Sequence, residues 1–367
     1  MSAFSRIHRA GFTRRLTVMA SAVIAAAVVT LASTHDAAAQ RVQGSGSTFA
    51  FPVISAWAKG FLEFRAGDGD FLVDDRGIDY EPIGSLGGIM RLAQPEVDFA
   101  TSDAPLPPAD LAARGLAQFP VVIGGLAAVV NLDRIKAGEL KLGGDVLAGI
   151  YLGRITRWND PAIAALNQGL ALPDQAIAVL HRADGSGSTL VWTRYLSASS
   201  PEWKDSVGSD TRVRWPAGAA AEGSSGMLDA VRRTKGAIGY VEFGQVGRAG
   251  LIFAQLGNAG GRFITPSPEV FAATAARAAW DPAKGFYLHL TDAAEPDAYP
   301  LTAATFVLMH KTQRSAARTR RTLAFLDYAL GQGGPQAAAL GYVALPPELV
   351  ERVRDYWRAN LPGAEAF

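Results

Sequence analysis

The sequence predicts an α/β protein with mainly parallel sheets and two domains, and three observations carry this prediction. Short apolar runs typical of buried strands alternate with amphipathic helical patterns along the chain. Several turns from strand to helix contain glycine and serine, and the pentamer GSGST occurs twice, at 44–48 and at 185–189. The chain has 367 residues, 49% of them hydrophobic, which suffices for a large core and indicates two domains.

Residues 1–39 are predicted to be a secretory signal peptide that belongs to neither domain. Four arginines precede an apolar stretch at 16–31, and three small residues, Ala37 to Ala39, form a suitable cleavage site. A retained membrane anchor is the alternative. The stretch is shorter, and poorer in Leu and Ile, than a membrane span of about 20 residues requires. Arg14 and Arg15 also resemble a twin-arginine export signal, but the rest of that motif is not clear.

The charge and cysteine content of the mature chain exclude several classes of function. The signal peptide takes four Arg and one Asp from 35 basic and 34 acidic residues, which leaves 31 and 33 and a net charge near −2. This balance gives no general attraction for nucleic acid, so an anion site must rely on local dipoles and a few side chains. The absence of Cys excludes disulfides, a lipid-modified cysteine, thiolate metal sites and Cys nucleophiles. No metal-ligand spacing occurs, so no metal or cofactor is expected, and a soluble periplasmic protein fits best.

The elements follow from the periodicity of apolar residues. A short strand leads into the first GSGST, and a second strand ends at Ser102 and Asp103 before a Pro-rich turn and a helix that is capped near Ala109 and Asp110. Further strands are predicted at 78–83, 119–130, 176–180, 236–242 and 300–309. Further helices are predicted at 52–64, 89–93, 161–166, 190–196, 227–233, 318–330 and 347–358. The long apolar run at 119–130 contains Gly124 and Gly125, and we interpret it as the crossover between the two halves of the chain.

The stretch from His181 to Thr189 is the strongest candidate for a binding site. A strand that ends in Gly and Ser and turns into a helix leaves the first N–H groups of the helix unpaired, which is an anion-binding geometry. Arg182 adds a planar charged fork, and the serines add hydroxyl donors. The alternative is a Gly/Ser turn with a surface Arg and a Ser N-cap. The second pentamer favours two helix N-termini that hold one anion between them, unless the repeat is coincidence or linker sequence.

Two further turns at strand ends in the first half of the chain carry polar residues. Ser85 lies in the glycine-bearing turn at 84–88, for which a tight turn that needs glycine is an equally good explanation. Asp103 follows a buried strand and precedes Ala-Pro, where a turn or N-cap role is the usual one. If Asp103 belongs to an anion site, its carboxylate would repel a fully ionised ligand but accept a hydrogen bond from a protonated ligand.

The sequence motifs that contain these turns resemble those of the periplasmic phosphate-binding proteins of phosphate-specific ABC transporters, and they occur in the same order along the chain. The resemblance covers essentially the whole mature chain, and its most specific parts are RADGSGS and SDAPL, accompanied by GSGSTFAFPVISAW, GAIGYVEF and YPLTAATF. It implies a type II binding protein of two lobes, each a mainly parallel sheet flanked by helices, that closes on one phosphate in the cleft. It also implies a monomer that delivers phosphate to the membrane permease subunits of the transporter and binds no nucleic acid.

The resemblance further implies a division into lobes and a ligand set. The first lobe would comprise 40–122 and 297–367, the second 123–296, with hinges near 123–125 and 297–298. The implied phosphate ligands are Thr48, the backbone of Phe49, Ser85, Asp103, Arg182, Ser186, Gly187 and Ser188. Asp184 would orient Arg182 through a charge-assisted bond and not touch phosphate. The two copies of the pentamer would then contribute phosphate ligands from different positions within the motif.

A hydrolase is the rival function. His181, Asp184 and either Ser186 or Ser188 are the residue types of a catalytic triad. Close neighbours in one strand and turn do not readily form that chain of contacts, and no G-x-S-x-G elbow surrounds Ser186. We therefore expect a binding protein and no catalysis. A structural or adhesive secreted protein, the third class, would not need Arg182 and Asp103 at glycine corners.

Overall fold

The computed structural model describes residues 41–67, 77–293, 295–312 and 315–367. The predicted signal peptide lies outside these residues. The described strands are β1 (Val42–Gly46), β2 (Ile78–Glu81), β3 (Phe99–Ser102), β4 (Leu116–Val130), β5 (Lys141–Leu142), β6 (Ala178–Arg182), β7 (Ala219–Ala221), β8 (Ala237–Glu242), β9 (Ile252–Phe253), β10 (Gln255–Gly257), β11 (Phe263–Ile264) and β12 (Thr302–His310). The described α-helices are α1 (Phe51–Gly67), α2 (Ser85–Arg91), α3 (Pro108–Arg114), α4 (Gly144–Tyr151), α5 (Pro161–Leu166), α6 (Gly187–Ser199), α7 (Pro201–Ser206), α8 (Gly223–Arg233), α9 (Phe243–Ala249), α10 (Pro268–Ala276), α11 (Ala316–Gly331), α12 (Gly334–Ala339) and α13 (Pro347–Asn360).

The alternation of strands and helices produces the α/β architecture of two lobes that was predicted. Nine described strands join in one sheet with the order β2-β1-β3-β12-β4-β8-β6-β7, and β9 pairs with β4. The outer strands of each half, β2-β1-β3 and β8-β6-β7, pair in parallel. The central strands β12, β4 and β8 pair antiparallel, a detail that the apolar pattern alone did not resolve.

Strand β4 joins the two halves of the sheet. It is 15 residues long and buried throughout. From Leu116 to Gly125 it pairs with β12 of the first half, and from Leu126 onward it pairs with β8 of the second. Tyr299 lies beside this changeover, because its hydroxyl donates to the Leu126 carbonyl at 2.8 Å. The chain therefore returns to the middle of β4 at Tyr299.

The helix after the second pentamer begins earlier than its apolar pattern indicated. The pattern placed it at 190–196, whereas α6 starts at Gly187 and is capped by Ser186, whose side chain accepts from the Thr189 N–H. Gly187 and Ser188 therefore lie in the first turn. Other boundaries shift by a few residues, as is usual where caps and not periodicity end an element. The segment between β8 and β12, for which no element was predicted, holds α9, α10 and the short strands β9 to β11.

The core is continuous across both halves of the sheet and rich in aromatic side chains. Trp57 and Trp357 are almost fully buried on the side of the first lobe, and Trp158, Trp192 and Trp203 are fully buried on the side of the second. Within the described ranges, no helix is both long and apolar enough to cross a membrane.

Candidate functional site

The predicted site residues gather at one edge of the sheet, where the parallel strands of each lobe end. In the first lobe, Thr48 and Phe49 follow β1, Ser85 begins α2 and Asp103 follows β3. In the second lobe, Arg182 ends β6, and the turn after it leads into α6. Since ligands of α/β sheets bind beyond the carboxyl ends of strands, this edge is where a site is expected. All the predicted residues are buried except Thr48, which is partly buried.

Arg182 links the two lobes. Its Nε donates to Asp184 Oδ1 at 2.6 Å, and its Nη2 donates to Asp184 Oδ2 and, at 2.9 Å, to Thr48 Oγ1 of the first lobe. The guanidinium side chain is only 2% exposed. Asp184 also accepts from the Gly223 N–H, at the start of α8, at 3.2 Å. A planar fork held on two sides in this way is fixed in orientation before any ligand arrives.

Asp103 is a buried carboxyl at this edge of the sheet. Its side-chain oxygens accept from the hydroxyls of Ser47 at 2.6 Å and Thr305 at 2.7 Å. Burial raises the pKa of this carboxyl to about 6, although hydrogen bonds from Ser47 and Thr305 and the charge of Arg182 act in the opposite direction. When it is ionised, the group has only acceptor sites to offer a ligand.

Ser85 connects the first lobe to the first turn of α6. Its Oγ accepts from the Asp103 N–H at 3.2 Å and from the Gly187 N–H of the second lobe at 3.1 Å. Next to it, the Leu86 N–H donates to the Gly185 carbonyl at 3.0 Å. The lobes are therefore in direct contact across the cleft, which is the geometry of a closed binding protein.

The two pentamers occupy different positions relative to their helices. In the second copy, Gly187 and Ser188 are the first residues of α6, so their N–H groups have no acceptor in a preceding turn of that helix. In the first copy, the residues through Gly46 belong to β1, and α1 does not begin until Phe51. The repeat in sequence is therefore not a repeat in structure.

The charges of the site do not by themselves attract an anion. Arg182 carries one positive charge, whereas Asp184 and Asp103, when ionised, carry two negative charges. An anion would have to be held by the arginine fork together with uncharged donors, namely hydroxyls and the N–H groups at the helix starts. The arrangement thus offers several donors and one acceptor, which suits an oxyanion that carries a proton.

Four residues that contribute to this site escaped the sequence analysis. Ser47 and Thr305 hold Asp103, as described above. The Ser224 hydroxyl lies 3.0 Å from Thr48 Oγ1 across the cleft, and the Tyr240 hydroxyl accepts from the Arg182 N–H at 3.1 Å. Two of them had a visible signal, because Ser47 belongs to the repeated pentamer and Ser224 to the GSSG turn before α8. Thr305 and Tyr240 lie in predicted strands whose apolar sequence pattern indicates that the strands are buried but does not indicate a role in a site.

The side chains of a hydrolase triad are not connected to one another. His181 stacks on Trp215 with ring centroids 4.8 Å apart, and its Nδ1 lies 3.2 Å from the Arg182 carbonyl. The Ser186 hydroxyl caps α6, and Asp184 is engaged by Arg182. Among the residues that the structure describes, no cluster of three or more His, Asp or Glu side chains could hold a metal ion.

Comparison with known proteins identifies a family and a shared fold. A family model described as the PBP superfamily domain matches residues 31–332. The phosphate-binding protein PstS of Xylella fastidiosa (strain 9a5c) is 42% identical over 320 residues, which cover 87% of this chain and 85% of that protein. The PstS protein of Pasteurella multocida (strain Pm70) is 42% identical over 327 residues, covering 89% and 92%.

Among solved structures, a periplasmic phosphate-binding protein (PfluDING) bound with phosphate has the same fold. Its TM-score is 0.61 at 20% identity, over 86% of this chain and 93% of that one. At this identity, the likeness concerns the fold alone.

Proposed function

The chain belongs to the PstS family of phosphate-binding proteins, and on that premise we propose that it captures inorganic phosphate in the periplasm and delivers it to the phosphate ABC transporter. The observation that carries the proposal is the pairing of one buried acceptor, Asp103, with a cleft that otherwise presents donors. The permease subunits of that transporter are the proposed partners. A cleavable signal at 1–39 would direct the protein to the periplasm, where it acts as a monomer.

We assign the phosphate oxygens to donors from both lobes. The first lobe supplies Thr48, the backbone of Phe49, and Ser85. The second lobe supplies Arg182, Ser186, Gly187 and Ser188, with Asp184 holding the guanidinium in place. These groups lie at one edge of the sheet and are already in contact across the cleft, which supports the assignment.

Asp103 gives the site its selectivity. Phosphate carries one or two protons near neutral pH, so it can donate a hydrogen bond to the ionised carboxyl. Sulfate has no proton to donate, and one of its oxygens would face the carboxylate unpaired. Sites that recognise a substrate hydroxyl reject analogues that lack it by about 10⁴–10⁵-fold. We therefore propose that Asp103 excludes fully ionised oxyanions.

Capture would involve motion of the lobes and no chemical step. We place the hinges near 123–125 and 297–298, which divides the chain into 40–122 with 297–367 and 123–296. The change of pairing in β4 between Gly125 and Leu126 supports a boundary close to the first hinge. A hydrolase is not favoured, because His181 is stacked on Trp215 and Ser186 caps a helix.

The experiment that tests the function is a titration of phosphate-stripped mature protein with phosphate and then with sulfate. Intrinsic tryptophan fluorescence is a suitable signal, because Trp192 stacks on Tyr240 at 4.9 Å and the Tyr240 hydroxyl contacts the Arg182 backbone. We expect saturable binding of one phosphate per chain and no binding of sulfate near neutral pH. Binding of neither anion would contradict the proposed function.

Gly187→Ala is expected to weaken phosphate binding by about 10- to 100-fold. An added Cβ would lie 2.6 Å from Ser85 Oγ and 2.8 Å from Asp103 Cβ, so the lobes would have to separate to accommodate it. Overpacking of this kind costs about 1–3 kcal/mol. Gly247→Ala is the matched control, because that helical glycine has nothing within 4 Å of the added carbon. Calorimetry that finds equal affinities for the two variants would contradict the closed geometry.

A further inference from the structure

The carboxylate of Asp103 is held by two hydroxyls that the family resemblance did not assign to the site. Ser47 Oγ donates to Oδ2 at 2.6 Å, and Thr305 Oγ1 donates to Oδ1 at 2.7 Å. Each carboxylate oxygen therefore already accepts one hydrogen bond. Ser47 and Thr305 are fully buried, and Asp103 is 4% exposed. The donors come from the turn after β1 and from β12, elements that are far apart in the sequence.

The hydroxyl of Ser47 donates to Asp103 while it accepts from the backbone. Its oxygen accepts from the Ala50 N–H at 3.1 Å, which leaves the hydrogen directed at Asp103. The backbone of Ser47 is held as well, because its N–H donates to Thr101 Oγ1 at 3.0 Å and its carbonyl accepts from the Tyr80 hydroxyl at 2.9 Å. Ser47 is thus a fixed donor and not a freely rotating one.

Thr305 reaches Asp103 because β12 pairs antiparallel with β3. The register between β12 and β4 shifts between Thr305 and Phe306, and Phe306 pairs with Ser102, the last residue of β3. Continued by one residue, the register between β12 and β3 places Thr305 opposite Asp103, the residue that follows β3.

We propose that Ser47 and Thr305 are positioning residues that keep Asp103 ionised and orient its remaining lone pairs toward the ligand. By doing so, they set the pH below which the site no longer excludes sulfate. The proposal rests on the proposed function and extends it to two residues outside the ligand set. Hydrogen bonds to an ionised carboxyl stabilise that form, whereas burial without them favours the neutral acid. A neutral carboxyl can donate, and it would then accommodate an oxygen of a fully ionised oxyanion.

The surroundings of Asp103 explain why these two hydroxyls are needed. Burial raises its pKa to about 6, and the opposing influences are, after Ser47 and Thr305, the charge of Arg182 and the Ser85 hydroxyl. The phenols of Tyr80 and Tyr342 also face it, and burial raises the pKa of both well above the range in which they would titrate here. Arg182 is the cation that acts on the carboxyl, and Asp184 already shares that charge.

The test is the apparent affinity for sulfate, measured by calorimetry between pH 5 and pH 8.5 on phosphate-stripped protein. The affinity of the wild type for sulfate should rise as pH falls, with a midpoint near pH 6, because its carboxyl becomes protonated over that range. Ser47→Ala and Thr305→Val should each move the midpoint of this profile upward by about one pH unit, and the double variant by more. Thr305→Ser keeps the hydroxyl and should restore the wild-type midpoint.

Ser45→Ala is the matched control on β1. Its hydroxyl is buried and has no hydrogen-bond partner within the described ranges, so its removal should leave the midpoint unchanged. Thr305→Val preserves the shape of the side chain and keeps the test valid if the double variant does not fold. Variants that bind phosphate but keep the wild-type midpoint for sulfate would overturn this inference alone. A wild type that binds no phosphate at all would instead contradict the proposed function.

Discussion

Arg182→Ala is expected to weaken phosphate binding by about 10³-fold or more. Asp184 and Thr48 engage Nε and Nη2 of Arg182, so Nη1 is the group that can donate to an oxyanion, and each charge-assisted hydrogen bond is worth about 1.5–3 kcal/mol. The substitution also leaves Asp184, now without its two bonds from Arg182, as a second negative group at the edge of the cleft. The loss of attraction and the new repulsion act together, so a decrease of about 4 kcal/mol or more in binding free energy is expected.

The measurement for Arg182 is calorimetric titration with phosphate, alongside two comparison variants. Ser188→Ala removes one neutral donor and should cost about 10-fold at most. Arg154→Ala removes an exposed arginine that pairs with Glu202 and should leave phosphate affinity unchanged. A larger loss for Ser188→Ala than for Arg182→Ala would mean that the ligand positions have been assigned wrongly.

Asp103→Asn is expected to abolish most of the discrimination between phosphate and sulfate. The amide keeps an acceptor oxygen, so phosphate should still bind, but it adds an NH₂ donor that can face an unprotonated oxygen of sulfate. The preference for phosphate over sulfate should fall by about 10-fold or more at pH 7, where the carboxyl of the wild type is mostly ionised and the amide of the variant is neutral. Competition of sulfate against bound phosphate measures it directly, and unchanged exclusion of sulfate would contradict the role of Asp103.

The same substitution should stabilise the ligand-free protein. Folding raises the pKa of Asp103 from 3.8 to about 6, so the folded state holds this proton more tightly than the unfolded one. The stability of the folded state therefore falls as pH rises from about 4 to about 6, and the penalty is fully present at pH 7.5. It corresponds to about 2–3 kcal/mol. The expected rise in the free energy of unfolding for Asp103→Asn should accordingly disappear near pH 3.5.

The strand-to-helix turns that carry the candidate site residues could be predicted from the sequence, because such turns depend on local chemistry. Gly, Ser and Asp at the ends of apolar runs mark strand-to-helix turns, and the structure brings Ser85, Asp103, Arg182 and Gly187 to one edge of the sheet. The family resemblance then supplied a ligand set that turn chemistry alone would have left as one alternative among several.

The residues that hydrogen-bond to these turns from distant parts of the chain could not be predicted from the local sequence pattern. Thr305 donates to Asp103 across 202 positions, and Thr48 meets Ser224 across 176. Alternation and apolarity reveal that a strand is buried but not which strand it pairs with. Neither the pairing of β12 with β3, which brings Thr305 to Asp103, nor the antiparallel centre of the sheet could therefore be predicted. The early start of α6 has a similar cause, since Ser186, a cap, begins that helix ahead of its apolar face.

The most direct test of the account is a crystal structure of the mature protein grown with phosphate. We expect one phosphate between the lobes, with Arg182 and the backbone N–H of Gly187 donating at about 2.7–3.0 Å, and Asp103 accepting from it at about 2.5–2.7 Å. Phosphate bound outside this cleft, or bound within it with Asp103 beyond about 3.5 Å of every phosphate oxygen, would contradict the claim that one buried carboxylate selects the ligand.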